Sequence, residues 1–369
     1  MRDRFLRIPL GLSVIHAPFK GNSNQVVINN TIDIKFFDSE MLEQPLFLFI
    51  LKYCQHEISQ QNLVELMTEE FEIEKDEAKT LIEKLIDNCI LIDIHSPKYQ
   101  GIVQLGVKWV EKGWQTPLIY HLHTNNIEKD DYWIDPLGLD DRKEMEQKVK
   151  ESPIPPIYKL YEGLPSIQLE IPNEYKLSIT SVFNDVLGED KQRNSMQFEE
   201  FSRLMYFAFG QTGIKVDSVT GKHISKTSPS GGARHPSETY VFVHDVIGIS
   251  PGLYHYNVKD HSLILISEGD FRKFVQQNII LHKDRPSFNF KVTFVHTLIF
   301  ERSMHRYRES RSFRPVNHDL GHVMQTVALL ASSLNRNSYR GYSLIDQAVE
   351  NLLNIDGITE STMTYTLVG

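Results

Sequence analysis

Strand-like runs in the C-terminal half limit the fold of this chain more than any other feature. "ETYVFVHDV" (238–246), "GLYHYNVKDHSLILI" (252–266), "FNFKVTFVHTLIF" (288–300) and "STMTYTLVG" (361–369) are rich in β-branched and aromatic residues, which suit a pleated, packed surface. The second run reads as a pair of strands. Helical patterns lie among them. "SMQFEEFSRLMYFAFGQTG" (195–213) is amphipathic and stops at Gly210 or Gly213, and "LGHVMQTVALLASSLN" (320–335) has Ala and Ser on one side for close packing. "NSYRGYSLIDQAVENLLNI" (337–355) reads as a further helix. Strands and helices in this order predict an α+β domain over 176–369, an antiparallel-rich sheet flanked by helices.

The N-terminal part follows a different pattern. "SNQVVINNTIDIKFF" (23–37) alternates like one or two short strands, and "QPLFLFILKYCQ" (44–55) reads as a buried helix. "SQQNLVELMTEEF" (59–71) is a helix with Ser59 as N-cap, and "EKDEAKTLIEKLIDNCILIDI" (74–94) is a helix running into a strand, with Leu81, Leu85 and Cys89 on its apolar face. Three helices and a short strand outline a small winged-helix-like domain over 1–97. Residues 98–175 are expected to connect it to the α+β domain. They contain the aromatic "VKWVEKGWQTPLIYHLHTNN" and the proline-rich "ESPIPPIYKLYEGLP", with a linker over 150–175.

Charge and composition exclude several classes of function. A net charge of −9 opposes general nucleic-acid binding, which needs a basic surface. The third N-terminal helix carries Glu74, Asp76, Glu77, Glu83 and Asp87 against three lysines, a face that repels phosphates. Cys54 and Cys89 lie in one helical region and read as buried thiols rather than a disulfide. No uninterrupted apolar run of 18 residues exists, so no membrane span is expected, and the N-terminus lacks a signal-peptide pattern. A cytoplasmic protein is expected.

The chemistry concentrates at "SPSGGARHP" (228–236), directly before the first strand of the α+β domain. Its spacing is neither Gly-x-x-x-x-Gly-Lys nor Gly-x-Gly-x-x-Gly, and it precedes a strand instead of following one. A Gly-Gly pair on its own is a turn. Here Lys226 stands before it and Arg234-His235 after it. Glycines let a flat ligand lie against the backbone with N–H donors at fixed positions, an edge suited to a flavin ring. His318 and His322 are four residues apart, but no Cys or Glu partner is near, so no metal is expected. Asn317 or Asp319 is expected to cap the following helix, and His255 and His261 read as ordinary strand residues.

"SPSGGARHPSETY…GISPGLYHYNVKDHSLILI", followed by "RYRESRSFRPVNHDLGHVMQTVALLASSLN" and the closing "YTLVG", resembles the SagB-type dehydrogenases of the nitroreductase-like flavoproteins. The N-terminal order resembles the small PqqD-like domain that recognises precursor peptides; the alternative is a winged-helix fold used only for packing or dimerisation. This resemblance implies FMN held at a homodimer interface, with Ser228, Pro229, Ser230, Gly231, Gly232 and Ala233 along the isoalloxazine. It also implies a ribosomally made precursor peptide as substrate, whose thiazolines and oxazolines are oxidised to thiazoles and oxazoles, and a cyclodehydratase partner that makes those rings.

The chain departs from the family pattern twice. The arginine cluster that usually opens the domain and takes the FMN phosphate is reduced to Lys191 and Arg193. Lys226, Arg234, Arg311, Arg314 and Arg340 are the replacement candidates, since a guanidinium suits a phosphate. A catalytic Lys-Tyr pair is replaced by Arg306-Tyr307. Arginine stays protonated and cannot act as a base, which leaves proton transfer to Tyr307 beside Arg306. The alternatives are a reductase of dehydroalanine-type residues, with Tyr307 as the acid, and an inactive flavin-fold scaffold.

Overall fold

The strand runs are apolar at nearly every position because their sheet is covered on both faces. The computed structural model describes residues 4–8, 13–16, 26–29, 37–38, 44–88, 90–124, 139–173, 182, 194–282 and 284–369. It divides into two compact units, Met1–Asp131 and Tyr132–Gly369. This division does not coincide with the limits expected at 97/98 and 175/176.

Among the described residues the first unit has strands β1 (Phe5–Arg7), β2 (Ser13–His16), β3 (Val26–Asn29) and β4 (Phe37–Asp38), then helix α1 (Gln44–Tyr53). There follow β5 (Ile58–Ser59), α2 (Gln60–Phe71), α3 (Lys75–Asp87), β6 (Ile92–Asp93), α4 (Pro97–Glu111) and α5 (Gln115–His123). Strand β1 pairs antiparallel with β5 and β6, and a second small sheet has the order β2-β3-β4. Phe49, Ile50, Leu63, Met67, Ile82 and Leu85 form the core of the three-helix part. Ser59 caps α2 as expected, its Oγ accepting from the Asn62 N–H at 3.1 Å. Cys54 is a buried free thiol pushed up to about 12 by burial. Cys89 lies outside the described residues.

The second unit begins with α6 (Leu139–Glu151), β7 (Ser166–Gln168) and α7 (Phe198–Phe209). The hairpin β8 (Gly213–Asp217) and β9 (Gly221–Ser225) leads to β10 (Ser237–Val243), β11 (Gly252–Asn257) and β12 (Ser262–Glu268). After the short helix α8 (Arg272–Val275) come β13 (Val292–Ile299), α9 (Glu301–Met304), α10 (Phe313–Ser333), β14 (Ser338–Gly341), α11 (Asp346–Leu353) and β15 (Glu360–Val368). The seven-stranded sheet has the order β14-β15-β13-β10-β11-β12-β7, and every pairing in it is antiparallel. Alternation along β10 divides the core. Val241 and Val243 face Phe201 and Met205 of α7 and Val323 and Val327 of α10. Tyr240 and Phe242 face Val275, Ile279, Val349 and Leu353 on the other side. The result is an α+β sandwich of helices, sheet and helices.

Three expectations are corrected. The proline-rich segment is not a free linker. The Lys159 Nζ donates to the Tyr240 hydroxyl at 2.6 Å and pairs with Glu360, and β7 extends the sheet along β12. The helix expected from Leu320 starts at Phe313; Pro315 falls in its first turn, where a missing N–H costs no helical bond. Asn317 and Asp319 are therefore inside this helix and do not cap it. Finally, "SYRG" at 338–341 is a strand paired with β15, not part of a helix.

Candidate active site

The register between β10 and β13 sets the site. Ser237 lies opposite Leu298, and the Ile299 N–H donates to the Pro236 carbonyl at 2.9 Å. The loop entering β10 and the chain leaving β13 therefore emerge at the same end of the sheet. The first carries Ser228–Ala233 and the second carries Arg302–Tyr307.

The loop is fixed from α10. The Ser230 hydroxyl donates to Asp319 Oδ2 at 2.5 Å, and the Gly231 N–H reaches both Asp319 oxygens at 3.2 and 3.3 Å. The Ser228 and Thr326 hydroxyls are 2.8 Å apart, and His322 Nδ1 donates to the Pro229 carbonyl at 3.2 Å. Burial raises the Asp319 carboxyl above the usual carboxylate range, and the Ser230 and Gly231 donors only partly offset this. A single turn, Gly231–Ala233, then reverses the chain, with φ of +58° at Gly232, +54° at Ala233 and +45° at His235. Such values are uncommon for residues with a Cβ, and strain of this kind gathers at functional sites.

Most amides of this turn are already used. The Ala233 and Arg234 N–H groups donate to the Ser230 and Gly231 carbonyls, and that of His235 to Ser230 Oγ. The Gly232 N–H has no acceptor among the described residues. What lies against the bare Gly232 Cα is Tyr307: a Cβ built there would stand 3.0 Å from Tyr307 Cζ and closer still to the hydroxyl oxygen. Nothing among the described residues bonds to that hydroxyl either. Tyr307 also lines a cavity of about 420 Å³ with Phe300, Met304, Arg308, Phe313 and Val316. Met304 and Phe313 are 51% and 46% exposed, so the cavity has an apolar, solvent-reachable mouth.

Behind the loop lies a buried polar network. Arg302 Nη1 is 2.6 Å from Glu238 Oε1 and donates to the His235 carbonyl at 3.2 Å, and its Nε donates to the Pro156 carbonyl at 3.0 Å. His255 Nε2 is 2.8 Å from the other Glu238 oxygen. Burial pushes the Glu238 carboxyl up, but Arg302, His255 and Lys226 outweigh it and hold it at about 2. Lys226 feels burial first, then the attraction of Glu238 and the repulsion of Arg302, and its ammonium falls to about 8. His235 is pushed down to about 3, chiefly by burial and then by Lys226, and is neutral.

The expected site residues thus fall into groups. Ser228, Pro229, Ser230, Gly231, Gly232 and Ala233 form one turn, and Tyr307 packs directly on it. The Arg306 guanidinium carbon is 5.2 Å from the Tyr307 ring centre. Lys226 lies within electrostatic reach of Glu238, Arg302 and His235. Arg311 and Arg314 lie just before and within the first turn of α10, and Arg340 on β14 donates to Gln325 Oε1 at 2.7 Å. Lys191 and Arg193 lie outside the described residues. No group of three or more His, Cys, Asp or Glu that could hold a metal occurs among the described residues, and no described helix is long and apolar enough to cross a membrane. Glu238, Arg302 and Lys159 were not expected at the site, and Asp319, expected as a helix cap, instead holds the loop. His255 was read as an ordinary strand residue but is bound to buried Glu238.

An antiparallel sheet between helical layers, with a Gly-Gly turn at the end of its central strand, is an arrangement shared with known proteins. Residues 192–369 match the nitroreductase family. Over 162 residues the chain is 30% identical to the putative nitroreductase MJ1384 of Methanocaldococcus jannaschii, covering 43% of this chain and 75% of that protein. The chain belongs to the nitroreductase family. Over 359 residues it is 29% identical to the trifolitoxin-processing protein TfxB of Rhizobium leguminosarum bv. trifolii, covering 91% of each. Among solved structures, a putative nitroreductase from Anabaena variabilis is 24% identical with a TM-score of 0.47, over 62% of this chain and 46% of that one.

Proposed function

We propose that this chain is a flavin-dependent oxidoreductase of peptide maturation, which oxidises thiazolines and oxazolines to thiazoles and oxazoles in a precursor peptide. The observation that carries the reading is the meeting of Gly232 and Tyr307: an amide without an acceptor and a hydroxyl without a partner, side by side at an open cavity. Proteins of the nitroreductase family bind flavin, and the similarity to a trifolitoxin-processing protein supports a peptide substrate.

The residues present fit FMN. An isoalloxazine edge offers acceptors, and the Gly232 N–H is a donor lacking one. Ser228–Ala233 would hold the ring, and the cations proposed for its phosphate are among Lys226, Arg234, Arg311, Arg314 and Arg340. When bound, the flavin supplies two-electron hydride chemistry. The chain's own part is to hold the peptide ring in the cavity against Phe300, Met304 and Phe313, to exclude water there, and to move a proton at the Tyr307 hydroxyl. Arg306 lies against the Tyr307 ring, and Tyr307 is the residue proposed to take the proton. A homodimer and a cyclodehydratase partner belong to the same reading.

The uncommitted hydroxyl equally serves as a proton donor, which keeps the reductive reading for dehydroalanine-type residues. One experiment decides. The purified protein is incubated with FMN and, in parallel reactions, with an azoline-bearing and a dehydroalanine-bearing peptide, and the products are weighed by mass spectrometry. Loss of two hydrogens per ring, abolished in Tyr307→Phe, is expected. Gain of two hydrogens with NAD(P)H overturns the oxidative direction. A colourless protein that does not take up FMN overturns both readings, and product formation unchanged in Tyr307→Phe removes Tyr307 from the chemistry.

A further inference from the structure

Arg234 is 9% exposed, yet its guanidinium makes only neutral contacts. Its Nε donates to the Gly232 carbonyl at 2.9 Å, and its Nη2 lies 2.5 Å from His223 Nδ1 and 3.2 Å from His223 Nε2. Among the described residues no carboxylate is within ion-pair distance of it. Asp217 influences it from further away, but that carboxylate accepts from the Val219 and Thr220 N–H groups at 2.8 Å and from the Thr220 hydroxyl at 3.1 Å. His223 also contacts the Thr220 hydroxyl through Nε2 at 2.6 Å. Burial and the repulsion of Arg234 hold this ring below the ordinary histidine range, so it accepts and brings no charge of its own.

A second cation makes the imbalance worse. Burial disfavours the charged form of Arg234, and Arg306 adds repulsion. The described carboxylate that Arg306 meets is the mostly exposed Asp141, at 3.4 Å. Arginine does not escape by losing its proton. A buried cation without an anion is strongly unfavourable; among the described residues Arg234 has none, and a ligand oxyanion would complete the pair.

We propose that Arg234, with Arg306 at its rim, is an anion-binding point of the site that receives one oxyanion, a phosphate or carboxylate carried either by the cofactor or by the peptide. A guanidinium presents paired donors that match such a group. The place of this anion within the reaction rests on the flavin and peptide reading above; the existence of the site does not.

The test starts with flavin-free protein and inorganic phosphate. At constant ionic strength, replacing chloride by phosphate raises the melting temperature saturably. In Arg234→Gln, whose amide can still donate to the Gly232 carbonyl, that response is lost. In chloride alone this variant melts no lower than the wild type, because an unpaired buried charge has been removed. Arg306→Gln, altered at the solvent side, weakens the phosphate response by a smaller factor. Affinities for FMN and riboflavin then identify the carrier. If the cofactor brings the anion, Arg234→Gln weakens FMN roughly tenfold and leaves riboflavin unchanged, as expected for one charged hydrogen-bond pair. If the peptide brings it, both flavins bind as before and the peptide KM rises by a similar factor with kcat kept. The proposal is overturned if phosphate fails to stabilise the wild type, or if it stabilises Arg234→Gln equally. Rejection of both flavins by the wild type would remove the flavin reading alone, since the phosphate titration is read without flavin.

Discussion

Replacing Gly232 by alanine tests whether the turn and Tyr307 form one unit. Two costs arise from the structure. At φ of +58° a Cβ is strained by about 1 kcal/mol. The new methyl would also stand 3.0 Å from Tyr307 Cζ and nearer its hydroxyl, so the ring must move, at about 1 kcal/mol or more for an overpacked contact. The sum is about 2 kcal/mol, measurable by urea unfolding of flavin-free protein. A double-mutant cycle separates the two parts. In a Tyr307→Ala background only the backbone strain remains, so Gly232→Ala should cost about 1 kcal/mol there, leaving a coupling of about 1 kcal/mol. Activity should behave differently: Gly232→Ala lowers kcat at least tenfold by displacing Tyr307, and removing Tyr307 does not restore it. Equal destabilisation by Gly232→Ala in both backgrounds would refute the contact and the site built on it.

Two further outcomes concern the network behind the loop. Arg302→Met leaves Glu238 buried without its main cation and should destabilise the fold by about 3 to 5 kcal/mol. The difference from wild type, followed by thermal melts, should shrink as pH falls from about 4.5 towards about 2, where Glu238 protonates in the folded wild type. Lys226 loses its proton near pH 8 when folded and near 10.5 when unfolded. The unfolded chain then binds more protons between these values, so stability should rise with pH across that window. Lys226→Met should lack this rise; an unchanged slope would show that Lys226 is not desolvated.

The strands were legible because both sheet faces are covered. Runs such as "ETYVFVHDV" need no polar alternation, and their apolar density marks them directly. The hairpin β8–β9 was not recognised, since Ile214 and Val216 are exposed and interrupted by polar residues. The loop was legible as a special place from its glycines, but what occupies the space beside them was not. Gly232 and Tyr307 are far apart in sequence, and the contact depends on strand register. Glu238 and Arg302 were invisible for a related reason. Each is a single charge at the end of an apolar run, where a sequence pattern predicts solvent, and only pairing across β10 and β13 brings them together. Asp319 looked like a helix cap because the helix was expected to start at Leu320. Once Pro315 is placed in the first turn, the carboxylate points from within the helix at Ser230 and Gly231.

That arrangement separates what holds the site from what acts in it. The meeting of loop and Tyr307 is determined by the β10–β13 ladder and by the Arg302–Glu238 pair, all buried. Arg306 and Tyr307 contribute little to either, since both follow the last hydrogen bond of the ladder and are half-exposed, Tyr307 at the cavity. A Lys-Tyr pair can therefore become Arg-Tyr without disturbing the sheet, because no core contact depends on residue 306. The chemistry at that position is free to change while the geometry is kept. On the proposed reading, the residue at 306 therefore bears on the direction of the reaction and on the charge of the ligand, and not on whether the chain forms the site.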